Sequence, residues 1–257
     1  MSESKLIAGD FLSLLAASSI APLSARATDA APTQTQGTTV FAFEYAGGVM
    51  VVGDRRATAG NVIVTDTVEK VIELDSQSVL AIAGVPATAF EMARVLQTSF
   101  EYYRRSQLQP LSLPAKVRAL ARLLRENVAM AVQGIGVVVP IFAGVDRKCD
   151  PPQPKIFFYD PLGAQFQAVG YTATGSGSMT IRSVLSYQEK YGVPKPTQMS
   201  REQAVKFALR LLMTAAEFDS ATGGVNPSAE TYATIKVLTL NGVAAVDVDA
   251  QAACITD

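Results

Sequence analysis

The order of strand-like and helix-like segments is the feature that most constrains how this chain can fold. Alternating apolar residues predict two hairpins between residues 38 and 84, and amphipathic helices follow over 86–133. Strand patterns return over 137–169, two helices cover 178–218, and a hairpin follows near the end of the chain. Hairpins favour antiparallel pairing and argue against a doubly wound βαβ sheet. The sequence therefore predicts an α+β fold in which two antiparallel sheets are flanked by helices.

The first 37 residues differ in composition from the rest of the chain. They are rich in Ala, Ser, Thr and Pro without sustained helical periodicity, which is typical of a detachable or poorly ordered segment and predicts a leader, 1–37, ahead of a folded domain, 38–257. Their apolar stretch is interrupted by serines and a proline and is shorter than the ~20 residues of a membrane span. Glu3 and Asp10 offset Lys5 where a secretory signal needs positive charge. We therefore expect a cytoplasmic protein without a membrane partner.

Histidine is absent from the chain, and this limits the chemistry available to it. Because histidine is the usual general base and the commonest metal ligand, a Ser-His-Asp or Cys-His site is impossible and no metal site is expected. Cys149 and Cys254 show no C-x-x-C spacing and indicate neither a zinc site nor a disulfide framework. The net charge of −1 gives no indication of nucleic-acid binding. An enzymatic base would have to be a carboxylate, a lysine or an α-amino group, whose ordinary pKa is roughly 7.7–8.0.

Three residues could supply such chemistry. Thr38 follows Gly37 at the end of the leader, and a threonine freed at an N-terminus carries a hydroxyl nucleophile and an amine base on one residue. Lys70 lies in a strand-like segment with apolar neighbours on its face, so a buried Lys70 needs a carboxylate partner. Asp54, at the end of a neighbouring strand, is available. Each also has an ordinary explanation, as a strand threonine, a snorkelling lysine and an exposed charged turn.

Two glycine-containing segments flank the second pair of predicted helices. GSGS, 175–178, precedes a helix, but Thr180 occupies the third glycine position of a dinucleotide-binding fingerprint, so a tight turn is favoured over a nucleotide-binding module. DSATGG, 219–224, ends a helix, and its two glycines explain that stop.

The chain as a whole resembles the β-subunits of proteasomes, especially those of actinobacteria. The resemblance covers residues 37 to about 245. It rests on eight segments in the order and approximate spacing of the family: GTTV, GDRRATAGN, VEKV, AIAG, AMAVQG, FAGVD, GSGS and DSATGG. Each segment is weakly specific by itself, and the eight together are strongly specific.

The resemblance implies an N-terminal nucleophile hydrolase, a four-layer αββα sandwich that needs no cofactor. It implies that Thr38 is the nucleophile exposed by cleavage of the Gly37–Thr38 bond, that Asp54 and Lys70 lie beside it, and that Gly84 forms the oxyanion hole. The remaining matches are the supporting residues Ser176, Asp219 and Thr222 and the substrate-binding residues Ala57, Thr58, Val68, Ile82 and Ala87. Thr222 stands where many members of the family have serine, and threonine keeps the hydroxyl group.

The implied function is a threonine endopeptidase with a chymotrypsin-like preference, because the matched pocket residues are small or apolar. The implied partners are proteasome α-subunits and other β-subunits in stacked rings of seven, an ATPase ring and unfolded protein substrates. Two alternatives are a non-catalytic ring subunit and the simpler bacterial ATP-dependent threonine peptidase of the same fold. Asp54-Arg55-Arg56 argues against the second, which is expected to carry Gly-Gln after the aspartate.

Overall fold

The structure is a computed structural model that describes residues 37–60, 62–226 and 231–256. The predicted leader lies outside these residues except for Gly37. The described strands form two five-stranded antiparallel sheets and a separate two-stranded ribbon. None of the described helices is long and apolar enough to cross a bilayer.

The first sheet has the strand order β10-β1-β2-β11-β12. Its strands are β1 Thr39–Tyr45, β2 Gly48–Gly53, β10 Tyr171–Gly175, β11 Thr234–Thr239 and β12 Gly242–Ala245. The hairpin β1–β2 pairs Val40 with Gly53 and turns at Ala46-Gly47, as the sequence predicts. Thr38 immediately precedes β1, which pairs with a strand on each side.

The second sheet has the order β5-β6-β7-β8-β9. Its strands are β5 Val71–Asp75, β6 Ser78–Ala81, β7 Ile141–Asp146, β8 Gln153–Tyr159 and β9 Gln165–Gln167. The ribbon consists of β3 Ala57–Ala59 and β4 Val62–Thr65. Lys70 immediately precedes β5 instead of lying within it.

The helices lie in two groups. The first group is α1 Pro86–Gln107, α2 Leu113–Glu126 and α3 Val128–Val132, and the second is α4 Ser178–Tyr191, α5 Arg201–Phe218 and α6 Val248–Thr256. Ser200 caps the start of α5 in a capping box, in which Ser200 Oγ accepts from the N–H of Gln203 and the Gln203 side chain accepts from the N–H of Ser200.

Three apolar clusters explain the layering. Phe41 and Phe43 of β1 pack against α4 and α5, while Val40 and Ala42 on the opposite face of β1 pack against the second sheet. The second sheet contacts α1 and α2 on its other face. Since β1 is buried on both faces, it is apolar at consecutive positions and does not alternate with polar residues. The four layers are helices, sheet, sheet and helices, so the predicted αββα sandwich is confirmed.

The structure contains three elements that were not predicted from the sequence. The ribbon β3–β4 and strand β10 are short, and α6 is a nine-residue helix whose start is marked by Asp247, which accepts from the N–H of Ala250 at 2.7 Å. Strand β10 matters most, because it pairs with β1 and brings Gly175 opposite Thr39. That pairing carries the 175–178 turn to the start of β1.

Candidate active site

Asp54 and Lys70 form a buried ion pair at the end of β2. Lys70 Nζ donates to Asp54 Oδ1 at 2.7 Å, and the side chains are 3% and 0% exposed. The carboxylate also accepts from three backbone N–H groups, those of Thr39 at 2.7 Å, Arg56 at 3.0 Å and Gly223 at 2.9 Å. Asp54 therefore holds three other segments of the chain, at Thr39, Lys70 and Gly223, at the end of β2.

Burial sets the direction of both pKa shifts in this pair. Desolvation lowers the pKa of Lys70 and raises the pKa of Asp54, and the attraction between the two charges opposes both shifts. The four hydrogen bonds to the carboxylate favour its charged form, so we describe the pair as ionised. A lysine with a lowered pKa gives up its proton more readily than an exposed lysine.

The Thr38 hydroxyl lies against the peptide bond that precedes it. Thr38 Oγ1 donates to Gly37 O at 2.7 Å, and Lys70 Nζ donates to the same oxygen at 3.3 Å. Lys70 Nζ also donates to Arg56 O. The Gly37 carbonyl thus stands where the carbonyl of a scissile bond would stand, between a hydroxyl and an ammonium group.

Gly37 is required here by space. A Cβ atom on Gly37 would lie 2.2 Å from Thr58 Oγ1 and 2.8 Å from Ala221 Cβ, distances at which side chains overlap. Gly37 is not among the described glycines with positive φ, so close approach is the reason for a glycine at this position.

Asp219, Thr222 and Ser176 form a second polar group next to Thr38 and Thr39. Thr222 Oγ1 donates to Asp219 Oδ2 at 2.5 Å and lies 2.6 Å from Thr39 Oγ1. Ser176 donates its N–H to Thr38 O at 2.9 Å, with its hydroxyl 3.4 Å from the same oxygen. Thr222 therefore contacts Thr39 and Asp219, and its hydrogen bonds fix the start of β1 next to Thr38.

The pKa of Asp219 lies below its ordinary value. Partial burial would raise it, but hydrogen bonds from Ser176 and Thr222 and the backbone N–H of Ala221 outweigh burial and lower it. Asp219 is therefore a carboxylate at neutral pH and acts as an acceptor that orients the two hydroxyl groups.

Arg56 links the two polar groups, although its sequence context predicts no role for it. Its guanidinium donates to Asp66 Oδ1 at 2.9 Å, Ser220 O at 3.1 Å and Thr222 O at 3.4 Å. An arginine in a charged turn gives no sequence signal for contacts with a loop about 165 positions away.

Gly84 lies beyond β6 with a φ of +110°. Its bridge to Val138 is flanked by hydrogen bonds from Val85 N to Val137 O and from Val139 N to Ala83 O. In this pairing the N–H of Gly84 points away from Val138, to the side on which Ile82 donates to Lys70 O. The N–H is thus available on the Lys70 side of the strand. A Cβ here would lie 2.1 Å from Val137 O.

A narrow cavity adjoins Thr38 and Lys70; we call it the unprimed pocket. The predicted substrate-binding residues Ala57, Val68 and Ile82 line it together with Gly84. Thr58 is buried beside Gly37, and Ala87 is exposed in the first turn of α1 and outside this lining. Three further lining residues come from the same helix, Pro86, Ala89 and Phe90. Their i, i+3, i+4 spacing places them on one face of the helix and could have indicated them.

The described residues contain no group of three acidic or cysteine side chains close enough to hold a metal ion. The arrangement instead combines a hydroxyl, a buried lysine and an outward N–H, the groups that nucleophilic attack on a carbonyl requires.

Comparisons with known proteins agree with this arrangement. A family described as Proteasome subunit matches residues 34–226. The chain is 39% identical over 213 residues to the proteasome subunit beta of Acidothermus cellulolyticus, covering 82% of this chain and 71% of that protein. It is 38% identical over 208 residues to the proteasome subunit beta of Streptomyces griseus, covering 80% and 70%. With the protein of the same name from Acidimicrobium ferrooxidans it shares 37% identity over 211 residues, covering 82% and 74%. The chain therefore belongs to the proteasome subunit family.

Proposed function

We propose that the chain is a β-type threonine endopeptidase subunit of a proteasome core particle and that it activates itself by cutting the Gly37–Thr38 bond. The observation that carries the proposal is the position of Thr38 Oγ1, 2.7 Å from Gly37 O, with Lys70 Nζ on the same oxygen. Family membership supports a peptidase, and this geometry supports Thr38 as its nucleophile.

The uncut chain is latent in this proposal. The Thr38 nitrogen is part of an amide and has no basicity, so the hydroxyl has no base on its own residue. Lys70 polarises the Gly37 carbonyl, Thr38 Oγ attacks its carbon, and the proton that the hydroxyl loses is the one passed to the Thr38 nitrogen. The C–N bond then breaks as the nitrogen takes a proton, and water hydrolyses the resulting ester. Residues 1–37 are released as a leader, and Thr38 becomes an N-terminus.

In the mature subunit the Thr38 α-amino group is the general base. It takes the hydroxyl proton, directly or through a water molecule, as the oxygen attacks a substrate carbonyl. Lys70, held by Asp54, lowers the pKa of the nucleophile through its positive charge. The Gly84 N–H stabilises the oxyanion, an interaction commonly worth about 3–4 kcal/mol. Asp219, Ser176 and Thr222 hold the first residues of β1 in position.

The unprimed pocket binds the side chain before the scissile bond. Its wall is apolar at Ala57, Val68, Ile82 and Phe90, and Lys70 is its one charged residue among those described. Lys70 is already paired with Asp54, so a basic side chain finds no free carboxylate there. Cleavage after Leu, Phe or Tyr is therefore favoured, with loose selectivity because one methylene changes binding by only about 1–3 kcal/mol.

The working form is a multi-subunit particle. We propose that the chain assembles with other β-subunits and with α-subunits in stacked rings, that an ATPase ring delivers unfolded proteins, and that the particle is cytoplasmic. The non-catalytic alternative is disfavoured because Thr38, Asp54 and Lys70 are all present and in contact with one another or with the Gly37 carbonyl.

The experiment that tests the proposal compares assembled particles carrying wild-type, Thr38→Ala, Thr38→Ser or Lys70→Ala subunits. Peptide cleavage and leader release should be lost in Thr38→Ala and Lys70→Ala, while Thr38→Ser should retain part of both. Val132→Ala, at an exposed position of α3, is the matched control and should behave as wild type. Cleavage by the Thr38→Ala particle at the wild-type rate would contradict the proposal.

A further inference from the structure

Arg56 contacts both polar groups of the site at once. Its backbone N–H donates to Asp54 Oδ2 at 3.0 Å, and its carbonyl oxygen accepts from Lys70 Nζ. Its Nη1 donates to the carbonyl oxygens of Ser220 at 3.1 Å and Thr222 at 3.4 Å. The position of the Arg56 side chain therefore affects how the loop that carries Thr222 lies against the ion pair.

The same loop also lies close to the backbone of Arg56. A Cβ atom on Gly223 would lie 2.9 Å from Arg56 Cβ and 3.2 Å from Arg56 N. The N–H of Gly223 donates to the same oxygen of Asp54 as the N–H of Arg56 does. A displacement of Arg56 is therefore passed directly to the loop.

Asp66 holds the other end of the Arg56 guanidinium. Arg56 Nε donates to Asp66 Oδ1 at 2.9 Å, and the side chains of Arg56 and Asp66 are 23% and 35% exposed. The two residues flank the first pair of the β3–β4 ribbon, Ala57 with Thr65. Within the described part of the chain, Asp66 is the only acidic residue that forms an ion pair with Arg56. Without it, the partly exposed guanidinium could turn towards water.

The turn that carries Asp66 is itself fixed by hydrogen bonds. Thr65 Oγ1 accepts from the N–H of Thr67 at 3.2 Å and lies 2.8 Å from the Thr67 hydroxyl oxygen. Arg55 Nη2 donates to the carbonyl oxygen of Thr67 at 3.2 Å. These contacts hold the carboxylate of Asp66 at a defined place beside the ribbon.

The charge of Asp66 also reaches Lys70. The charged groups that act on Lys70 are Asp54 at the end of β2, Arg56 and Asp66 beside the ribbon, and Asp219 after α5. Desolvation lowers the pKa of Lys70 most, and Asp54 opposes that shift. Of the smaller contributions, the negative charge of Asp66 raises this pKa and the positive charge of Arg56 lowers it. Asp66 therefore offsets the repulsion between Arg56 and the ammonium group.

We propose that Asp66 is a positioning residue of the active site, which acts through Arg56 and does not contact the substrate. Its carboxylate holds the guanidinium on the carbonyl oxygens of Ser220 and Thr222, and this keeps the Thr222 hydroxyl in contact with Thr39. Neither Arg56 nor Asp66 is among the described residues that line the unprimed pocket, so substrate binding should not depend on them. The inference rests on the proposed function and adds a residue of the ribbon to its machinery.

The test measures kcat, KM and the pH dependence of peptide cleavage by assembled particles. Asp66→Asn should lower kcat about three- to five-fold and leave KM unchanged, because a partly exposed ion pair makes a modest contribution. Its loss of negative charge should lower the pKa of Lys70, which acts as a cation, so the alkaline limb of the kcat profile should move to lower pH. Asp66→Glu keeps the charge and should restore the limb and most of kcat.

Two comparisons separate an effect through Arg56 from a general effect of charge. In an Arg56→Gln background, Asp66→Asn should lower kcat no further, because the residue through which it acts has been removed. Glu69→Gln is the matched control, since Glu69 directly precedes Lys70 but pairs with Lys236 at 3.0 Å. Its substitution should leave kcat and the alkaline limb unchanged.

An active wild-type particle whose kcat and pH profile are unchanged by Asp66→Asn would overturn this inference alone. So would independent losses of kcat from Asp66→Asn and Arg56→Gln, or an equal movement of the alkaline limb in Glu69→Gln. Should Asp66→Asn fail to assemble, Arg56→Lys replaces it, because lysine keeps the charge but lacks the fork that reaches Asp66 and the loop together. Its kcat should fall with KM unchanged, and a wild-type kcat would overturn the inference. A wild-type particle without peptidase activity would overturn the proposed function and this inference with it.

Discussion

Asp54 and Lys70 are not equivalent within their ion pair, so we expect substitutions at the two positions to lower the free energy of unfolding by different amounts. Asp54 is 0% exposed and accepts four hydrogen bonds, three from backbone N–H groups. Asp54→Asn replaces one carboxylate oxygen by an NH₂ group. In one orientation this NH₂ group faces the N–H groups of Arg56 and Gly223, and in the other it faces the donors that bind the second oxygen. In Lys70→Met the carboxylate keeps its three backbone donors.

The magnitude follows from these contacts. Removing one partner of a buried pair destabilises a protein by about 3–5 kcal/mol, and each buried donor left unpaired by about 1–3 kcal/mol. These contributions overlap, so we expect Asp54→Asn to lower the free energy of unfolding by about 4–5 kcal/mol and Lys70→Met by about 3 kcal/mol. The double variant should be less destabilised than the sum, because it leaves no unpaired charge.

Urea unfolding of the full chain, followed by far-ultraviolet circular dichroism, measures these differences. All variants would be made with Thr38→Ala so that processing cannot change their length. Lys116→Met, which removes the ion-pair partner of the half-buried Asp75, is the comparison for a lysine of similar burial outside the site. The reasoning would be refuted if Lys70→Met lowered the free energy of unfolding as much as Asp54→Asn. It would also be refuted if the double variant lost as much free energy of unfolding as the two single variants together.

Three further outcomes are expected. Gly84→Ala should abolish peptide cleavage, because its Cβ would overlap Val137 O at a φ of +110° and displace the proposed oxyanion donor; cleavage at the wild-type rate would exclude that role. Thr222→Ser should keep activity and Thr222→Val should reduce it at least several-fold, measured as kcat on a fluorogenic peptide, because only serine retains the hydroxyl between Asp219 and Thr39. The Cys149 thiol and Lys155 hold the pKa of Asp146 at about 2, below its ordinary 3.8, so the stabilisation is complete well above pH 4 and is lost as the pH falls towards 2. Asp146→Asn should therefore lower the urea midpoint at pH 7 and lower it much less at pH 2.5.

The parts of the fold that sequence could predict are those in which local patterns and burial agree. The β1–β2 hairpin combines two apolar strands with a turn at Ala46-Gly47, and α5 begins at a capping box. Lys70 is unusual in the sequence because a lysine with apolar neighbours needs a carboxylate partner. In the structure its Nζ lies 2.7 Å from Asp54 Oδ1. The ion pair follows from the cost of burying a single charge.

Other features depend on contacts between segments that are distant in sequence. Arg56 resembles any arginine in an exposed turn until the loop at Ser220 is brought against it. Thr39 resembles an ordinary strand residue, yet its hydroxyl joins Thr222 to the N–H of Gly177. Ala87 was expected in the substrate pocket, but the first turn of α1 directs Pro86, Ala89 and Phe90 there. These positions are set by how the two sheets meet, which local patterns do not encode.

The central claim is that Thr38 becomes an N-terminal nucleophile, and the intact mass of the subunit tests it most directly. The measurement is made on particles that are hydrolysing peptide. The mass is recorded first for these particles alone, and again after they have reacted with a slowly deacylating peptide ester and the reaction has been quenched with acid. The account predicts a chain that begins at Thr38 and, after quenching, carries one acyl group that maps to Thr38. An active particle whose subunits retain residues 1–37, or whose acyl group maps to another residue, would contradict it.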